Sequence, residues 1–409
     1  MFKRTKFACY STNICMSIVA NLSPLLFITF KNLYDISYSL LGLLVLINFF
    51  TQLTMDLVLS FFPQKFNIPL TVKLIPVITL LGLVVFALSP FIFGGAVFVG
   101  LLIGTIIFSM SGGLAEVLIS PVIAAIPSKN PERDMSKLHS IYAFGVVGVV
   151  LLGTFFLLIF DDKYWPILVL LFTLAPLFSI ILFAKAKIPD MQLPATSANG
   201  SSFFKNKLLW LCVFAIFLGG ASECTMAQWS SGYLENALKI PKALGDIFGV
   251  AMFALVLGLG RWIYGKVGRN VEKILLLGAI CASVCYLVAA LCPIPVIALI
   301  ASALTGFATS MLWPGSLIVA AEKFPLGGVT IYALMASGGD LGASVVPQIL
   351  GIVTDAVSSS ELALDLSSKL NLTTDQIGMK AGMLVASIFP TIAIFVFSYI
   401  YKIRKREEK

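Results

Sequence analysis

Twelve apolar runs, each long enough to cross a bilayer as a helix, decide what this chain can fold into. A hydrocarbon core of about 30 Å needs roughly 20 helical residues. On that ruler the runs fall at about 9–30, 38–61, 72–90, 94–126, 138–160 and 164–186, then at about 208–231, 243–264, 273–292, 295–322, 328–353 and 380–402. Lipid offers no hydrogen-bond partner to backbone N–H and C=O groups, so each run must satisfy its own as a helix. A β-barrel would need alternating strands of roughly ten residues, and the sequence has none. The expected fold class is therefore all-α integral membrane, with twelve transmembrane helices. Only 12% of the residues are charged, about half the share in a soluble chain.

Between the sixth and seventh runs lies the least hydrophobic stretch in the middle of the chain, Ile188 to Lys207 (IPDMQLPATSANGSSFFKNK). Rich in Pro, Ser, Asn and Lys, it reads as a solvated tether. The expected organisation is an N-terminal six-helix bundle at 1–187, a linker at 188–207 and a C-terminal six-helix bundle at 208–409.

An even number of spans puts both termini on one side, and the bias of Lys and Arg says which. Six of the 28 Lys and Arg (Lys31, Lys163, Lys239, Lys242, Lys369 and Lys380) fall on one side. The remaining 22 lie with the termini, the linker and the loops after the even-numbered spans. Both termini and the linker are thus expected in the cytoplasm, with the protein in the cell membrane. The net charge of +8 follows from this loop bias and is no sign of nucleic-acid binding. Lys3, Arg4 and Lys6 resemble the n-region of a signal peptide. No small-residue cleavage site follows before Phe30, so the run reads as an uncleaved first span.

The two halves echo each other. Ser140-Ile141-Tyr142-Ala143 opens the fifth span and Thr330-Ile331-Tyr332-Ala333 the eleventh. Each follows a span with a proline near its middle, Ser120-Pro121 and Trp313-Pro314. In the same register Asp56, near the end of span 2, corresponds to Arg261, near the end of span 8. Together these matches indicate a parallel duplication of a six-helix unit. The long exterior segment 354–379 reads as polar, with Asp355, Glu361, Asp365 and Asp375. Its Asn371-Leu372-Thr373 fits a glycosylation pattern that is common by chance.

Candidate functional residues are those that cost most to place in a membrane. Glu116 in span 4, Glu223 in span 7 and Asp340 in span 11 are the deep carboxyls, and so the proton-coupling candidates. For Glu116 the alternative is a pairing with a basic residue, few of which lie at that depth. Asp340 sits among small residues and either lines a cavity or closes an interhelical bond. Glu223, Gln228 and Trp229 suit a polyol, because sugars join polar edges to apolar C–H faces that stack on aromatics. Trp229 also fits an interfacial anchor. Asn48, Gln52 and Asp56 make one stripe down span 2 that lines the cavity or packs on another helix. Asn21, Asn48, Gln52, Tyr142, Gln228, Trp229 and Trp313 form the substrate-binding candidates. Asp56, Arg261, Lys266 and Arg269 form the cytoplasmic gate candidates.

Other signals are bland. Cys9, Cys15, Cys212, Cys224, Cys281, Cys285 and Cys292 all fall in apolar runs with no C-x-x-C, which points to packing residues and to no metal site. His139 at a loop end reads as surface or as a proton relay. Gly265-Lys266-Val267-Gly268-Arg269 lacks the spacing of a phosphate loop. With one histidine and no clustered nucleophile, base or metal set, an enzyme is not expected, and no cofactor is expected beyond a coupling proton.

At these residues the chain resembles the major facilitator superfamily, and within it the fucose permease-like sugar:proton symporters. Gly113-Leu114-Ala115-Glu116 with Ser120-Pro121 is similar to that family's span 4 pattern, and Leu138 through Gly145 to the opening of its span 5. Gly219-Gly220-Ala221-Ser222-Glu223 with Trp229 resembles its span 7 signature, and Ser310-Met311-Leu312-Trp313-Pro314 its span 10. The resemblance implies two pseudo-symmetric six-helix bundles that alternate access to a central site, with Glu116 as the proton-linked carboxyl. Two departures stand out. Asn21-Leu22-Ser23-Pro24-Leu25 lacks the family's span 1 acid, and Phe61-Phe62-Pro63-Gln64-Lys65 lacks the superfamily's loop aspartate. The expected function is secondary transport of a small polar metabolite, a sugar in the first instance, by proton symport. The alternatives are a proton-antiport exporter of drugs or amphipathic metabolites and a non-transporting sensor. A small-molecule substrate, membrane lipid and a monomeric state are expected, the last by analogy with the fold.

Overall fold

The computed structural model describes residues 2–62, 65–128, 131–189, 205–267, 270–324 and 328–407. The linker expected at 188–207 therefore lies almost wholly outside the described residues, as does Arg269. The described residues are overwhelmingly helical, with no strand among them. Among the described residues eleven helices are long and apolar enough to span a membrane, and a bent pair, Lys3–Leu25 with Phe27–Tyr34, makes the twelfth.

The bend of 45° in span 1 follows from Pro24, which removes a backbone donor inside the first helix. Beyond the bend, an aromatic cluster seats the short second piece. Trp165 is fully buried, with its ring 5.0 Å from Phe30 and 5.9 Å from Phe86. Its indole N–H donates to the Tyr34 hydroxyl at 3.0 Å.

Span 2 is Tyr38–Phe61, span 3 Ile68–Ile92, span 4 Val97–Ala125 and span 5 Pro131–Phe160. Span 6 joins Trp165–Phe172 to Leu174–Ala184. Span 7, Lys207–Gly232, runs on through a π turn, Tyr233–Ala237. Span 8 opens at Lys242–Leu244, passes a second π segment, Gly245–Ala251, and continues as Met252–Val267. Span 9 is Val271–Leu291, and span 10 is Pro295–Thr309 followed by Leu312–Lys323. Span 11 is Gly328–Ser358, and span 12 joins Thr374–Ala386 to Ile388–Glu407.

Several spans outrun the apolar cores that announce them. Span 5 begins at Pro131 where hydropathy places it at 138, and span 12 at Thr374 where hydropathy places it at 380. Capping explains the second: Thr373 and Gln376 form a reciprocal capping box that starts the helix before its apolar stretch. The exterior segment 354–379, read as polar, is largely helical. Span 11 reaches Ser358, and a separate helix, Glu361–Leu370, starts from a Ser360 cap. Asn371 ends that helix in the left-handed conformation and Thr373 caps the next. Both polar residues of the Asn-Leu-Thr pattern thus have structural work.

The chain divides into two compact units, Met1–Ile36 with Ile47–Ala195, and Ser37–Leu46 with Thr196–Lys409. In the first unit span 1 packs on spans 5 and 6, and span 3 on span 4. In the second, span 7 packs on spans 11 and 12, and span 9 on span 10. The pairs are the same after a shift of six spans, which is what a parallel duplication produces. Spans 7 and 11 cross at backbone distance. A β-carbon at Gly342 would overlap the Phe217 carbonyl oxygen, and one at Gly220 the carbonyl oxygen of Gly339. Small residues at such a crossing let the backbones meet, and in lipid that packing replaces the hydrophobic drive.

The first nine residues of span 2, with Ser37 before them, belong to the second unit. Asp355 of span 11 caps them: its Oδ1 accepts from the Tyr38 N–H at 3.0 Å, and its Oδ2 from the Ser39 N–H. A carboxylate over two orphan N–H groups at a helix start satisfies both donors and the dipole. The Tyr38 hydroxyl accepts from Asn236 Nδ2 and donates to Asp375. Asp355→Ala is expected to cost about 1–2 kcal/mol, the usual loss of a cap, and Asp355→Asn about half of that. Thermal unfolding of the purified protein checks both.

Candidate functional site

The second unit builds a charged site from spans 7, 8 and 10. Glu223 lies near the middle of the 31-residue stretch Lys207–Ala237. Arg261 Nη2 donates to both of its carboxylate oxygens, at 2.9 and 3.1 Å. Arg261 Nε donates to the Ser310 carbonyl at 3.0 Å. That carbonyl is available for a local reason. Four residues on stands Pro314, which has no N–H to give back, and span 10 breaks between Thr309 and Leu312. The guanidinium thus closes two accounts, a carboxylate on span 7 and an orphaned carbonyl on span 10.

Gly260 sets how near span 8 comes, since a β-carbon there would overlap the Ser310 hydroxyl. Trp313, half-buried, lies in the Gly220–Gly339 crossing, its ring 2.9 Å from where a Gly220 β-carbon would stand and 2.6 Å from that of Gly339. Gly220 and Glu223 are three residues apart and so share a face. The indole and the ion pair therefore stand about one helical turn, ~5 Å, apart along span 7. The Glu223 side chain is 15% exposed and that of Arg261 43%.

In the first unit Glu116 is exposed on span 4, more than two turns before its end at Ala125. One turn earlier Gly113 presses against span 2, its β-carbon position 2.6 Å from the Gln52 carbonyl oxygen. The polar stripe of span 2 is turned into this contact. Gln52 Nε2 donates to Asn48 Oδ1 at 2.9 Å, the Ser109 hydroxyl donates to the same oxygen at 2.6 Å, and Asn48 Nδ2 donates to the Val19 carbonyl at 3.3 Å. Asn48 and Gln52 are buried and tie spans 1, 2 and 4 together. Ser109, the third member of this network, escaped the sequence reading; its signal was a serine one turn before the Gly112-Gly113 pair.

The other candidates fall in several places. Trp229 is buried, its indole N–H donating to the Pro347 carbonyl at 3.1 Å and its ring 6.2 Å from Tyr38. It fastens span 7 to span 11. Gln228 is buried beside it, and Asp340 is buried on span 11 next to Gly339. Asn21 is half-buried, with Nδ2 donating to the Ser17 carbonyl at 2.9 Å, and Tyr142 is half-buried on span 5. Asp56 is buried on span 2. Arg261, grouped by the repeat with the cytoplasmic gate, gives its guanidinium to Glu223 of its own unit. Lys266 falls at the end of span 8 and Arg269 outside the described residues. The seven cysteines are free thiols, and among the described residues no group of three or more His, Cys, Asp and Glu is placed to hold a metal ion.

A twelve-span chain in two repeated units, with ionisable groups held inside the spans, has the architecture of a secondary transporter. The family model of the Major Facilitator Superfamily matches residues 8–347, and the chain belongs to that superfamily. No curated protein matches it by sequence. Solved structures share its fold. A bacterial homolog to the human lysosomal transporter Spinster, inward-facing and occupied, superposes with a TM-score of 0.77 at 15% identity, covering 97% of this chain and 96% of that one. A D-xylose-proton symporter superposes with a TM-score of 0.73 at 14% identity, covering 95% and 96%. The E. coli fucose:proton symporter superposes with a TM-score of 0.60 at 15% identity, covering 97% and 98%. At such identities the likeness is one of fold. The chain is accordingly a multi-pass membrane transporter of the alternating-access type.

Proposed function

We propose that this transporter carries a small polar metabolite, a sugar or close relative, together with a proton. The observation that carries the reading is Glu116, a carboxyl standing exposed inside a membrane-spanning helix. Left against lipid, such a group costs several kcal/mol, so it faces the aqueous pathway, where it can take and release a proton. The half-buried indole of Trp313 supplies an apolar face of the kind that sugar C–H groups stack on. Proton symporters of xylose and fucose share the fold, which fits the reading. The bias of Lys and Arg supports a place in the cytoplasmic membrane with both termini inside, and the fold family supports a monomer.

Glu116→Gln keeps the side chain's size and removes its titration. In proteoliposomes it is expected to abolish uphill uptake of a labelled sugar while leaving counterflow exchange within about twofold. Uphill uptake that survives the change would remove Glu116 from proton coupling. An exporter of amphipathic compounds would instead ignore the sugars and lower the accumulation of a lipophilic cation.

A further inference from the structure

We propose that the Glu223–Arg261 pair is a binding site for the carboxylate of an anionic polyol, a sugar acid, which replaces Glu223 on Arg261 when Glu223 takes up a proton. The inference rests on the transporter reading and narrows its substrate class.

The geometry sets the exchange. Arg261 holds Glu223 through Nη2 and the Ser310 carbonyl through Nε, at 2.9–3.1 Å and 3.0 Å. A guanidinium presents a planar fork matched to any carboxylate, whether the protein's or a ligand's. The Arg261 side chain is 43% exposed, and a guanidinium within a span is held toward water rather than lipid, which gives an incoming anion access to it. The Ser310 carbonyl keeps the guanidinium in place while its partner changes. Trp313, about one helical turn away along span 7, is half-buried in the Gly220–Gly339 crossing, and the part of its indole left uncovered is an apolar surface for a carbon chain bearing hydroxyls.

Charge balance links the proton to the anion. The resting pair is neutral, which suits a site inside a membrane. A proton on Glu223 alone would leave Arg261 uncompensated, and a carboxylate on Arg261 with Glu223 still ionised would leave one negative charge in excess. Proton and anion together restore neutrality, so each favours the other's binding by the same factor. The site takes up one anion and one proton, which forms an O–H bond on the Glu223 carboxylate, and nothing leaves. The other titratable groups on the elements around Glu223 are Cys224 beside it, Tyr286 of span 9, whose hydroxyl donates to the Ser222 carbonyl at 2.8 Å, Tyr264 one turn past Arg261, and Asp340 of span 11 near the Gly220–Gly339 crossing. Cys285 directly precedes Tyr286 on span 9, and Cys281 stands about one turn before it. Glu272 and Lys273 open span 9, Glu322 and Lys323 end span 10, the basic residues of span 12 are Lys380 in its first piece and those at its C-terminal end, and Glu235, Lys242 and Asp246 lie by the π turns of spans 7 and 8.

The test is calorimetric titration of the purified full-length protein with gluconate, and with neutral glucose and sorbitol, between pH 5.5 and 7.5. Gluconate is expected to bind up to about tenfold more tightly per unit fall in pH, with about one proton taken up per ligand. Glu223→Gln should bind gluconate at every pH with no proton uptake. Arg261→Gln should lose gluconate binding, and Arg261→Lys, which keeps the charge without the fork, should weaken it about tenfold. Wild-type binding of gluconate without a pH slope overturns the inference, as does undiminished binding by Arg261→Gln. Binding of the neutral polyols alone overturns it too, and leaves the sugar reading standing. If neither gluconate nor the neutral polyols bind, the inference and the sugar reading both fall.

Discussion

Gly342→Ala is expected to destabilise the protein by about 2–3 kcal/mol, near the upper end for forcing one methyl group into a packed core. The new β-carbon would meet the Phe217 carbonyl, the Phe217 carbonyl carbon and the Ala221 amide nitrogen, all of them backbone atoms. No rotamer change relieves such a clash, so spans 7 and 11 must move apart. Losses then spread to whatever the crossing positions, including the Gly220–Gly339 contact and the Trp313 ring lodged in it. Gly258→Ala is the control, because nothing lies within 4 Å of its β-carbon position. That substitution should be neutral or stabilise span 8 by about 0.5–1 kcal/mol through helix propensity. Thermal unfolding and size-exclusion profiles after extraction measure both, and equal losses for the two variants would contradict the packing described for spans 7 and 11.

The second large effect belongs to the ion pair. Removing one partner of a fully buried pair costs about 3–5 kcal/mol, because the other charge is left uncompensated. Here Arg261 is 43% exposed, and solvent screening lowers the expected loss to roughly 1–3 kcal/mol. Arg261→Ala should be the worse single change. It strands Glu223, which is only 15% exposed, and also the Ser310 carbonyl that Pro314 leaves without a helical donor. Glu223→Ala leaves a guanidinium still bonded to Ser310. The double variant should recover a good part of the loss, since no unpaired charge remains. A double-mutant cycle by thermal unfolding reads the coupling directly, and strictly additive losses would show that the pair contributes nothing as a pair.

The membrane architecture is legible in the sequence because the bilayer supplies a fixed ruler and forbids every backbone form but the helix and the closed barrel. Hydropathy locates all twelve spans on that basis. It misplaces their ends, because helices continue past the lipid wherever a cap such as the Thr373–Gln376 box starts them early. The helix Glu361–Leu370 is too short and too polar to register on the same ruler. The bend after Leu25 is foreshadowed by Pro24, yet Pro76, Pro121 and Pro347 lie inside helices that run on without a break.

Site residues are harder to read, for a geometrical reason. Hydropathy reports depth and periodicity reports face, but neither reports which side chains of different spans meet. Glu223 stands out by its depth alone. Its partner Arg261 was grouped with Asp56 through the repeat, and the link between Glu223 and Arg261 depends on a break in span 10 that only the fold displays. Polar and aromatic residues in spans 2 and 7 also serve packing. Asn48 and Gln52 form an interhelical network with Ser109, and Trp229 is bolted to the Pro347 carbonyl. A polar residue in a span signals a partner, and whether that partner is a substrate or another helix is decided by tertiary structure.

Coupled transport is read out by uptake into vesicles. Purified protein in proteoliposomes would be offered a labelled panel of sugars and sugar acids, with and without an inward proton gradient. One member is expected to accumulate above its external concentration only when the gradient is present. Equilibration without accumulation would contradict proton coupling, and absence of flux for every member would contradict the substrate class as well.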